Sequence, residues 1–384
     1  MRGKKTSHGD HILLGVVIVL ILLGILMVYS ASSFRGAETY GDSACFLKQH
    51  LIRVSIGMFL LVIAWRIDYH RYRWLTPMML LLCFVLLVAV LFGPKFQGSR
   101  RSLLIFGKQL QPSEFMKLTI IFYLAAVFAR GKFRVHHEDT LVSHYLILLL
   151  IVGLVFIEPD LGTALVLFFI GYGMFYLAGV SPKRLFKMAS FLVPLILLGM
   201  IVFPYQRQRI TDYWEAVSGS GPVNYQVKQS IIGLAHGGLT GLGYGAGKQK
   251  LFFLPEPFSD FILASYGEEF GFVGFFILFL LLMVVLWRGI RIALRAPDRY
   301  GYLMAGGITV MILVNALVNA GVVVHLLPTT GLPFPFLSYG GSSLFVHLIG
   351  VGILLNISTN GVVPFKKFST NQGRKVKWLR DENE

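Results

Sequence analysis

Charged side chains lie near the ends of several apolar segments, where they could take part in chemistry at a membrane surface. Glu114 and Lys117 open one apolar segment, and Glu158 and Asp160 stand between two others. Asp260 opens a further apolar segment. Charged groups at such positions are costly in lipid and therefore face a cavity or a partner. Their concentration on one side of the predicted membrane indicates a functional site on that side.

A pair of arginines, Arg100 and Arg101, adds positive charge to the same side. Cations there suit an anionic lipid headgroup, and a phosphate leaving group needs positive charge to stabilise it. A hydroxyl nucleophile needs a base within hydrogen-bond reach, which a nearby carboxylate could supply. The residues alone therefore indicate a site for an anionic headgroup with a carboxylate base beside it, and they go no further.

Each of these residues also has a simpler, structural interpretation. Glu114 and Lys117 are i,i+3 neighbours on a predicted helix and could merely pair with each other. Asp160 could be the N-cap of the helix that follows it, and Asp260 could cap its own helix. The two arginines could bind lipid phosphates without specificity. These alternatives stay open at the level of sequence.

Nucleotide-driven and zinc-dependent chemistry is not indicated, because the corresponding motifs are missing. The sequence contains no CxxC, HExxH, Walker loop or GxGxxG. Its two cysteines are Cys45 in a short polar loop and Cys83 in an apolar segment, so they form neither a disulfide framework nor a metal site. The formal net charge of +16 would suit nucleic acid, but its distribution points elsewhere.

The elements that must position these residues are apolar segments long enough to cross a membrane. Hydrophobic residues make up 55% and charged residues 14% of the 384 residues, whereas a soluble domain carries about 25% charged residues. Segments within lipid must be helical to satisfy their backbone groups. We predict an all-α integral membrane protein with about ten transmembrane helices, since roughly 20 residues cross the hydrocarbon layer. The predicted spans are Ile12–Ser30, Leu51–Ala64, Leu75–Phe92, Ser113–Ala129, Leu141–Ile157, Leu161–Val180, Leu185–Phe203, Ser259–Leu286, Tyr302–Val324 and Leu337–Ile357.

Lysine and arginine predict the orientation of these helices, because both are enriched in cytoplasmic loops. With the N- and C-termini cytoplasmic, most basic residues fall on the cytoplasmic side. They lie at residues 2–5, 66–73, 130–134, 183–187 and 288–299 and in the C-terminal tail. The excess positive charge is then mostly a topology signal, so we expect a membrane and no nucleic acid as partner.

We predict one polytopic membrane domain over residues 1–364 and a basic cytoplasmic tail over residues 365–384. One long extracellular loop, residues 204–258, connects helices 7 and 8, and loops of this length are uncommon without a function. Within this loop, Tyr225–Ala235 is predicted as a short surface helix and Gly237–Gly247 as irregular.

Two of the apolar segments, the first and the eighth, carry further expectations. The first follows a basic N-terminus and resembles a signal peptide, but it is longer than a typical signal segment and we expect it to be retained. The eighth, Ser259–Leu286, contains Gly267, Gly271 and Gly274, which are poor helix residues. We expect a kink or strong tilt there that aims Asp260 into an external cavity.

Several short stretches between Tyr29 and Asn356 follow one another in the order of a known set of motifs. They are Gly98–Arg101, Gln111–Lys117, Glu158–Ala164, Tyr225–Ser230, Gly237–Leu239, Gln249–Lys250, Leu254–Glu256, Asp260–Phe261, Gly267–Gly271 and Leu332–Ser342. In these stretches the sequence resembles the SEDS family of bacterial peptidoglycan polymerases, whose FtsW, RodA and SpoVE branches share the motifs. Gly267-Glu268-Glu269 and the Leu327–Leu332 stretch are more similar to FtsW than to RodA, whereas SpoVE is nearly indistinguishable.

The resemblance implies a metal-dependent, inverting glycosyltransferase that joins lipid II into β-1,4 glycan strands outside the bacterial cytoplasmic (inner) membrane. Asp260 matches the family's essential acid, either as the base that deprotonates the acceptor hydroxyl or as a ligand of a divalent cation such as Mg or Mn. Residues matching Arg100, Arg101 and Lys117 would lie near the lipid pyrophosphate. The resemblance implies substrate-binding roles for Arg100, Arg101, Gln111, Glu114, Lys117, Glu158, Asp160, Arg209, Lys250, Glu256 and Ser338.

The same resemblance implies partners and a location. A class B penicillin-binding protein, which crosslinks the strands, is the expected partner, together with other division proteins. A multi-pass protein of the FtsW type would act at the division septum. Three departures from the usual motifs remove no charge that the mechanism needs. They are Ser102 where the family usually has Trp, Phe258-Ser259 for His-Thr, and Asn319-Ala320-Gly321 for Asn-Ile-Gly.

Other functions remain as alternatives. A lipid II flippase should carry its essential charges near the bilayer midplane, between internal repeats. Here most charges lie towards the external face, and no internal repeat is evident. An inactive scaffold for the penicillin-binding protein would not need Asp260 together with the basic residues Arg100, Arg101 and Lys117. A RodA- or SpoVE-type role in elongation or sporulation is a further alternative.

Overall fold

A computed structural model describes residues 9–93, 101–105, 108–130, 138–190 and 204–360, together with positions 194 and 201. The described chain is mostly helical. Its helices are α1 His11–Tyr40, α2 Cys45–Arg66, α3 His70–Leu91, α4 Pro112–Phe128, α5 Glu138–Ile157, α6 Leu161–Leu177, α7 Pro182–Ser190, α8 Pro204–Ser218, α9 Tyr225–Gly237, α10 Gln249–Phe252, α11 Ile262–Leu294, α12 Arg299–Val323 and α13 Gly341–Asn360. Two short strands, β1 Leu103–Ile105 and β2 Lys108–Leu110, pair antiparallel.

Several helices have the length and composition of membrane spans, and the chain is a multi-pass membrane protein. Within the described residues, six helices qualify, namely α1, α2, α3, α11, α12 and α13, and Leu141–Ile157 and α6 are shorter apolar helices. Most of the predicted seventh span, Leu185–Phe203, lies outside the described residues, although α7 covers its beginning. The total of about ten spans therefore stays a prediction.

The helix boundaries differ from the predicted spans where a helix continues beyond its apolar part. α1 runs past Ser30 to Tyr40 and ends at Gly41, which has a left-handed φ of 67° and donates its N–H to the Ala37 carbonyl. α11 likewise continues past Leu286 to Leu294. Hydropathy locates the part of a helix that is compatible with lipid, whereas its end depends on a cap. The β1–β2 hairpin also corrects the all-α prediction in one detail.

Small residues let the central helices approach one another closely. α12 and α13 are the most buried of the six long apolar helices, whereas α2 and α3 are mostly exposed. A Cβ on Gly352 of α13 would lie 2.4 Å from the Leu61 carbonyl oxygen of α2, and one on Gly57 would lie 2.5 Å from Leu348. Lipid provides no hydrophobic driving force between helices, so this kind of close packing holds the bundle together.

The helix α11 is broken at Gly271, whose φ of 63° and ψ of −161° are not helical. The predicted kink is thereby confirmed. The glycine-rich segment 238–243 lies against the break and replaces the missing intrahelical bonds. Backbone hydrogen bonds of 3.0 Å run from Phe272 N to Gly238 O, from Val273 N to Leu239 O, from Leu242 N to Glu268 O, and from Gly243 N to Glu269 O. Non-helical backbone at membrane depth is tolerated only when protein satisfies it in this way.

The helix α9 confirms the predicted helix at Tyr225–Ala235, but it is more than a surface element. Its residues Val227, Ser230, Gly233 and Gly237 are buried. A Cβ on Gly237 would overlap the Gly267 carbonyl of α11, at 2.0 Å. The irregular backbone predicted after α9 is also confirmed, because only the short helix α10 intervenes before α11.

We predict that Gly271→Ala destabilises the protein. A left-handed conformation costs a non-glycine residue roughly 1–2 kcal/mol, and the added Cβ would lie 2.4 Å from the Gly241 nitrogen. Gly15→Ala on α1 is the matched control, because no atom lies within 4 Å of its Cβ position. Thermal unfolding of the two purified variants should show a lower melting temperature for Gly271→Ala only. Equal melting temperatures would mean that the break is not a fixed feature.

Candidate functional site

Asp260 lies in the loop that leads from α10 into α11, and α12 fixes the backbone of this loop. The side-chain amide of Asn319 on α12 donates to the Asp260 carbonyl at 2.8 Å and to the Leu332 carbonyl at 2.6 Å. One buried amide thus joins the aspartate loop to the segment that precedes α13. A hydrogen bond of this kind is geometrically strict, so it holds Asp260 in position.

The Asp260 side chain does not cap α11, so the capping interpretation was wrong. The N-cap residue is Phe261, and no side chain bonds to the first turn. Instead, Oδ1 of Asp260 accepts a hydrogen bond from the Ser259 hydroxyl at 2.9 Å. Within the described residues, Oδ2 has no hydrogen-bond partner. This oxygen is therefore available to a ligand.

Burial raises the pKa of Asp260 above its ordinary value, although the Ser259 hydrogen bond and the charge of Arg101 oppose the shift. The carboxylates of Glu256 and Asp160 raise this pKa further. A carboxylate with a raised pKa is a stronger base. Asp260 therefore has the electrostatic environment that a general base needs.

Arg101 and Asp260 face the same small space above Gly331. A Cβ built on Gly331 would lie 3.2 Å from Oδ2 of Asp260 and 3.4 Å from Nη1 of Arg101. Gly331 also has a left-handed φ of 71°, which favours glycine. The structure thus brings Arg101 and Asp260 close together, and Gly331 leaves space beside both groups because it has no side chain. Arg100 lies outside the described residues.

Asp160 and Gln111 form a second polar pair. Asp160 is the N-cap of α6, because its Oδ1 accepts from the Thr163 N–H at 3.0 Å, which confirms that interpretation. Its Oδ2 accepts from the Thr163 hydroxyl at 2.9 Å and from the Gln111 amide at 2.7 Å. Both oxygens are occupied within the chain. Asp160 therefore acts on Asp260 through its charge, as the raised pKa of Asp260 reflects.

Glu114 and Lys117 pair with each other inside the bundle, at 2.7 Å, which confirms the simpler interpretation of these residues. Both side chains are almost fully buried. Lys117 also donates to the side-chain oxygen Oδ1 of Asn315 at 3.3 Å. The side-chain nitrogen Nδ2 of Asn315 lies 2.8 Å from Nε2 of His347. Their role in substrate binding stays a prediction, since their polar atoms face this internal network.

Glu158 is fully buried between α5 and α6, and neither of its carboxyl oxygens has a hydrogen-bond partner among the described residues. Burial and, to a lesser extent, the charge of Asp160 raise the pKa of Glu158 to about 9. Its carboxyl group is therefore protonated at neutral pH. In this structure Glu158 is a neutral, buried group, and its predicted contact with substrate is untested.

Lys250 and Glu256 make ion pairs with other parts of the chain. Lys250 donates to the Glu269 carboxylate and to the Ser30 hydroxyl, so one buried cluster joins α10, α11 and α1. Glu256 faces Arg35 at 3.4 Å, and both side chains are partly exposed. The exposed pair contributes little to stability. The Glu256 side chain is partly exposed to solvent, whereas the Lys250 side chain is buried.

Ser338 and Arg209 hold the loops around Asp260. The Ser338 hydroxyl donates to the Ser259 carbonyl at 2.7 Å and accepts from the Phe334 N–H at 2.7 Å. Arg209 on α8 donates to the Thr329 carbonyl at 3.1 Å, two residues before Gly331. These contacts give both residues a positioning role that does not require contact with substrate.

Asn319 and Gly331 were missed as site residues by the sequence analysis. Asn319 was noted only as part of a motif, although a buried asparagine in an apolar helix is itself a signal of function. Gly331 was likewise noted only within the Leu327–Leu332 motif, because its importance lies in a close approach of segments distant in sequence. No group of three or more His, Cys, Asp or Glu among the described residues could form a metal cage.

Known proteins resemble this chain over almost its whole length. Residues 10–362 match the FtsW/RodA/SpoVE family model, described as cell cycle protein. Stage V sporulation protein E of Bacillus subtilis (strain 168) is 40% identical, over 93% of this chain and 99% of that protein. Probable peptidoglycan glycosyltransferases FtsW are 37% identical in Geobacter metallireducens, over 93% of this chain and 96% of the relative, and 39% identical in Trichlorobacter lovleyi, over 92% and 94%.

Solved structures share the fold. A chain from a study of how a peptidoglycan synthase complex coordinates polymerization and crosslinking has a TM-score of 0.75 and 25% identity, and the match covers 92% of this chain and 98% of that chain. The rod shape determining protein RodA of Thermus thermophilus has a TM-score of 0.67 and 25% identity, with coverage of 94% and 98%.

We predict that Asn319→Ala lowers catalytic activity without preventing folding. The change removes two hydrogen bonds that fix the Asp260 loop, each worth about 0.5–1.5 kcal/mol. Asn360→Ala, at the exposed end of α13, is the matched control. We expect a loss of turnover of roughly tenfold, the effect of about 1.4 kcal/mol, for Asn319→Ala alone. Unchanged turnover would show that the loop keeps its geometry without the amide.

We predict that Glu158→Gln changes how stability depends on pH. The pKa of Glu158 is raised to about 9, so between its ordinary pKa and this value the folded state holds a proton that the unfolded state releases. Stability from this group is therefore highest at low pH and falls as pH rises. The melting temperature of wild type should drop more between pH 5 and pH 8 than that of Glu158→Gln. Exposed Glu38→Gln should behave as wild type, and parallel curves for all three proteins would contradict the prediction.

Proposed function

This chain belongs to the FtsW/RodA/SpoVE family of cell cycle proteins, and on that basis we propose that it polymerises lipid II into β-1,4 glycan strands. It is a peptidoglycan glycosyltransferase, the activity for which its FtsW relatives are named. The observation that carries the proposed site is the shared space of Asp260 and Arg101 above Gly331. It provides a carboxylate with a raised pKa beside a permanent cation.

The proposed reaction is a single displacement at the anomeric carbon of the donor sugar. Asp260 takes the proton of the acceptor hydroxyl as that oxygen attacks, and the new C–O bond forms while the bond to the lipid pyrophosphate breaks. The leaving pyrophosphate keeps the electron pair of the broken bond. Arg101 stabilises the resulting negative charge. One carboxylate is sufficient for this inverting displacement, because pyrophosphate is already a good leaving group.

A divalent cation such as Mg or Mn fits the available donor atoms. Mg is usually held by one or two carboxylates together with water and substrate phosphates, rather than by an all-protein cage. The unpartnered Oδ2 of Asp260 suits this mode, whereas both oxygens of Asp160 are occupied within the chain. When bound, such a cation would neutralise charge on the pyrophosphate. Holding this cation would be the alternative role of Asp260, in place of accepting the proton.

An apolar cavity supports the polyprenyl part of the proposed substrate. It has a volume of about 400 Å³ and lies between α2, α3 and α4, lined by side chains such as Leu60, Leu82 and Phe115. Leu110 and Pro112 form one part of its wall, on either side of Gln111. A lipid chain in this cavity would therefore run next to the polar residues that precede α4.

We propose about ten transmembrane helices, from the length needed to cross lipid, with both termini cytoplasmic and the loop 204–258 external. The start of α1 and the end of α13 lie together, since the Asp10 N–H donates to the Ser358 hydroxyl at 3.1 Å. This contact supports a common side for the two ends of the membrane domain. Residues 365–384 would form a cytoplasmic tail. The membrane would be the bacterial cytoplasmic (inner) membrane.

A class B penicillin-binding protein is the proposed partner. The support is the likeness to a chain of a peptidoglycan synthase complex that coordinates polymerization and crosslinking. We propose an FtsW-type role at the division septum, with other division proteins, which the likeness to FtsW relatives supports, whereas the likeness to stage V sporulation protein E supports a role in sporulation. A lipid II flippase and an inactive scaffold are the remaining alternatives. Polymerisation of purified lipid II, with and without the partner, separates them.

We predict that Asp260→Asn abolishes polymerisation. Asparagine keeps the size of the side chain but neither accepts the proton nor binds a hard cation well, and loss of a general base costs ~10²–10⁴-fold in rate. The purified variant, with a class B partner, should bind that partner normally and make almost no glycan from lipid II. Asp212→Asn on α8 is the control and should polymerise normally. Long strands made by Asp260→Asn at the wild-type rate would exclude the proposed base.

We predict that Arg101→Ala lowers polymerisation severely and that Arg101→Lys restores only part of it. Arginine makes bidentate contacts with phosphate that lysine does not. The rate of glycan formation from lipid II measures both variants. If both retain the wild-type rate, Arg101 does not stabilise the leaving group.

A further inference from the structure

A polar cavity lies at the end of α11 opposite to Asp260. Its volume is about 320 Å³, and it opens between the start of α1, the end of α11 and the end of α13. Neither the motifs nor the proposed reaction use it. Its polar lining comprises Asp10, His11, Arg288, Arg291, Arg295 and Ser358.

Positive charge dominates this cavity. Asp10 pairs with Arg288, whose Nε lies 2.6 Å from Oδ2 of the carboxylate. Arg291 and Arg295 have no carboxylate partner in the part of the chain that the structure describes. The Arg291 guanidinium lies 4.6 Å from the ring centre of Trp287. Two of the three arginines are thus uncompensated and available to an anion.

The walls of the cavity are fixed by contacts among three helices. Asp10 caps α1 by accepting from the Leu13 N–H at 3.0 Å, and its own N–H donates to Ser358 on α13 at 3.1 Å. The same carboxylate holds Arg288 of α11. These contacts fix the three helices around the cavity and hold Arg288 in place, so a ligand would meet walls that are already formed, which lowers the entropic cost of binding.

Exposed apolar side chains lie at the cavity. Ile12 lines it and is 53% exposed, and the Trp287 ring lies beside the Arg288 and Arg291 guanidinium groups. Trp287 is 49% exposed, and tryptophan is enriched where a helix crosses the boundary between lipid and water. An occupant with a phosphate head and apolar chains would match both the cations and this surface, whereas a soluble anion would use the cations alone.

We propose that this cavity binds the phosphate group of an anionic diacyl phospholipid, with Arg291 and Arg295 as its ligands and the acyl chains along Ile12 and Trp287. Basic pockets between transmembrane helices on the cytoplasmic side bind anionic headgroups elsewhere. Guanidinium groups suit phosphate because they make bidentate hydrogen bonds. The site is separate from the glycosyltransferase site, and it bridges the first, eleventh and last helices of the described chain.

The test compares the purified full chain in uncharged detergent with added phosphatidylglycerol, phosphatidylcholine or inorganic phosphate. Phosphatidylglycerol should raise the melting temperature of wild type, and the other two should not. The double variant Arg291→Gln, Arg295→Gln should need at least about tenfold more phosphatidylglycerol for the same rise, equivalent to about 1.4 kcal/mol of binding free energy. Its melting temperature without lipid reports whether it folds.

The matched control is Arg71→Gln, Arg73→Gln, which removes the same charge from two exposed positions at the start of α3. It should respond to phosphatidylglycerol as wild type does. Equal weakening in both double variants would mean that only net charge matters and would overturn the proposal. A rise produced equally by inorganic phosphate would also overturn it, because the occupant would then be a soluble anion.

Discussion

Lipid offers no hydrogen bonds to an open backbone, and the structure around Asp260 follows from that constraint. α11 is broken at Gly271, and the glycine-rich segment 238–243 supplies the backbone partners that the helix lacks. This requirement brings the second half of the long loop against the membrane helix. The buried contact of Lys250 with Glu269 and Ser30 fastens the same loop to α1. Together these contacts hold the short chain from α10 to Asp260, so the irregular segments of the sequence form the support of the site.

The polar residues of the site divide into those that are satisfied within the chain and those that remain available. Asp160, Gln111, Glu114 and Lys117 have partners within the chain, and Ser338 bonds to backbone. Asp260 is different, because one of its carboxylate oxygens has no partner in the described chain and its pKa is raised by burial. Hydrogen-bond partners within the chain fix the position of a polar side chain, but they leave it less available to bind a ligand. In the reaction proposed here, one available carboxylate would thereby act within a framework that is fixed before substrate arrives.

The two ends of α11 carry unlike chemistry. One end presents Asp260 and, through Gly331, approaches Arg101. The other end presents three arginines around a cavity, of which Arg288 pairs with Asp10, and the exposed side chains of Ile12 and Trp287 lie beside them. The unbroken part of α11 after Gly271, residues 272–294, spans about 35 Å at 1.5 Å per residue, which is enough to cross the ~30 Å hydrocarbon layer. Both ends can therefore reach the polar regions of the two membrane surfaces.

Much of this protein was determined by the sequence itself. Apolar segments predicted the membrane helices and glycines predicted the break in α11, because both properties are local, whereas the family resemblance proposes Asp260 as the reactive acid, which stays a prediction. Helix ends such as Tyr40 and Leu294 were missed, since hydropathy does not report where a cap forms. Only the tertiary structure decided which charges are used internally: Asp160 became a cap and Asp260 did not. Asn319 and Gly331 joined the site for the same reason, because a hydrogen bond or a close approach between segments distant in sequence depends on how the helices pack.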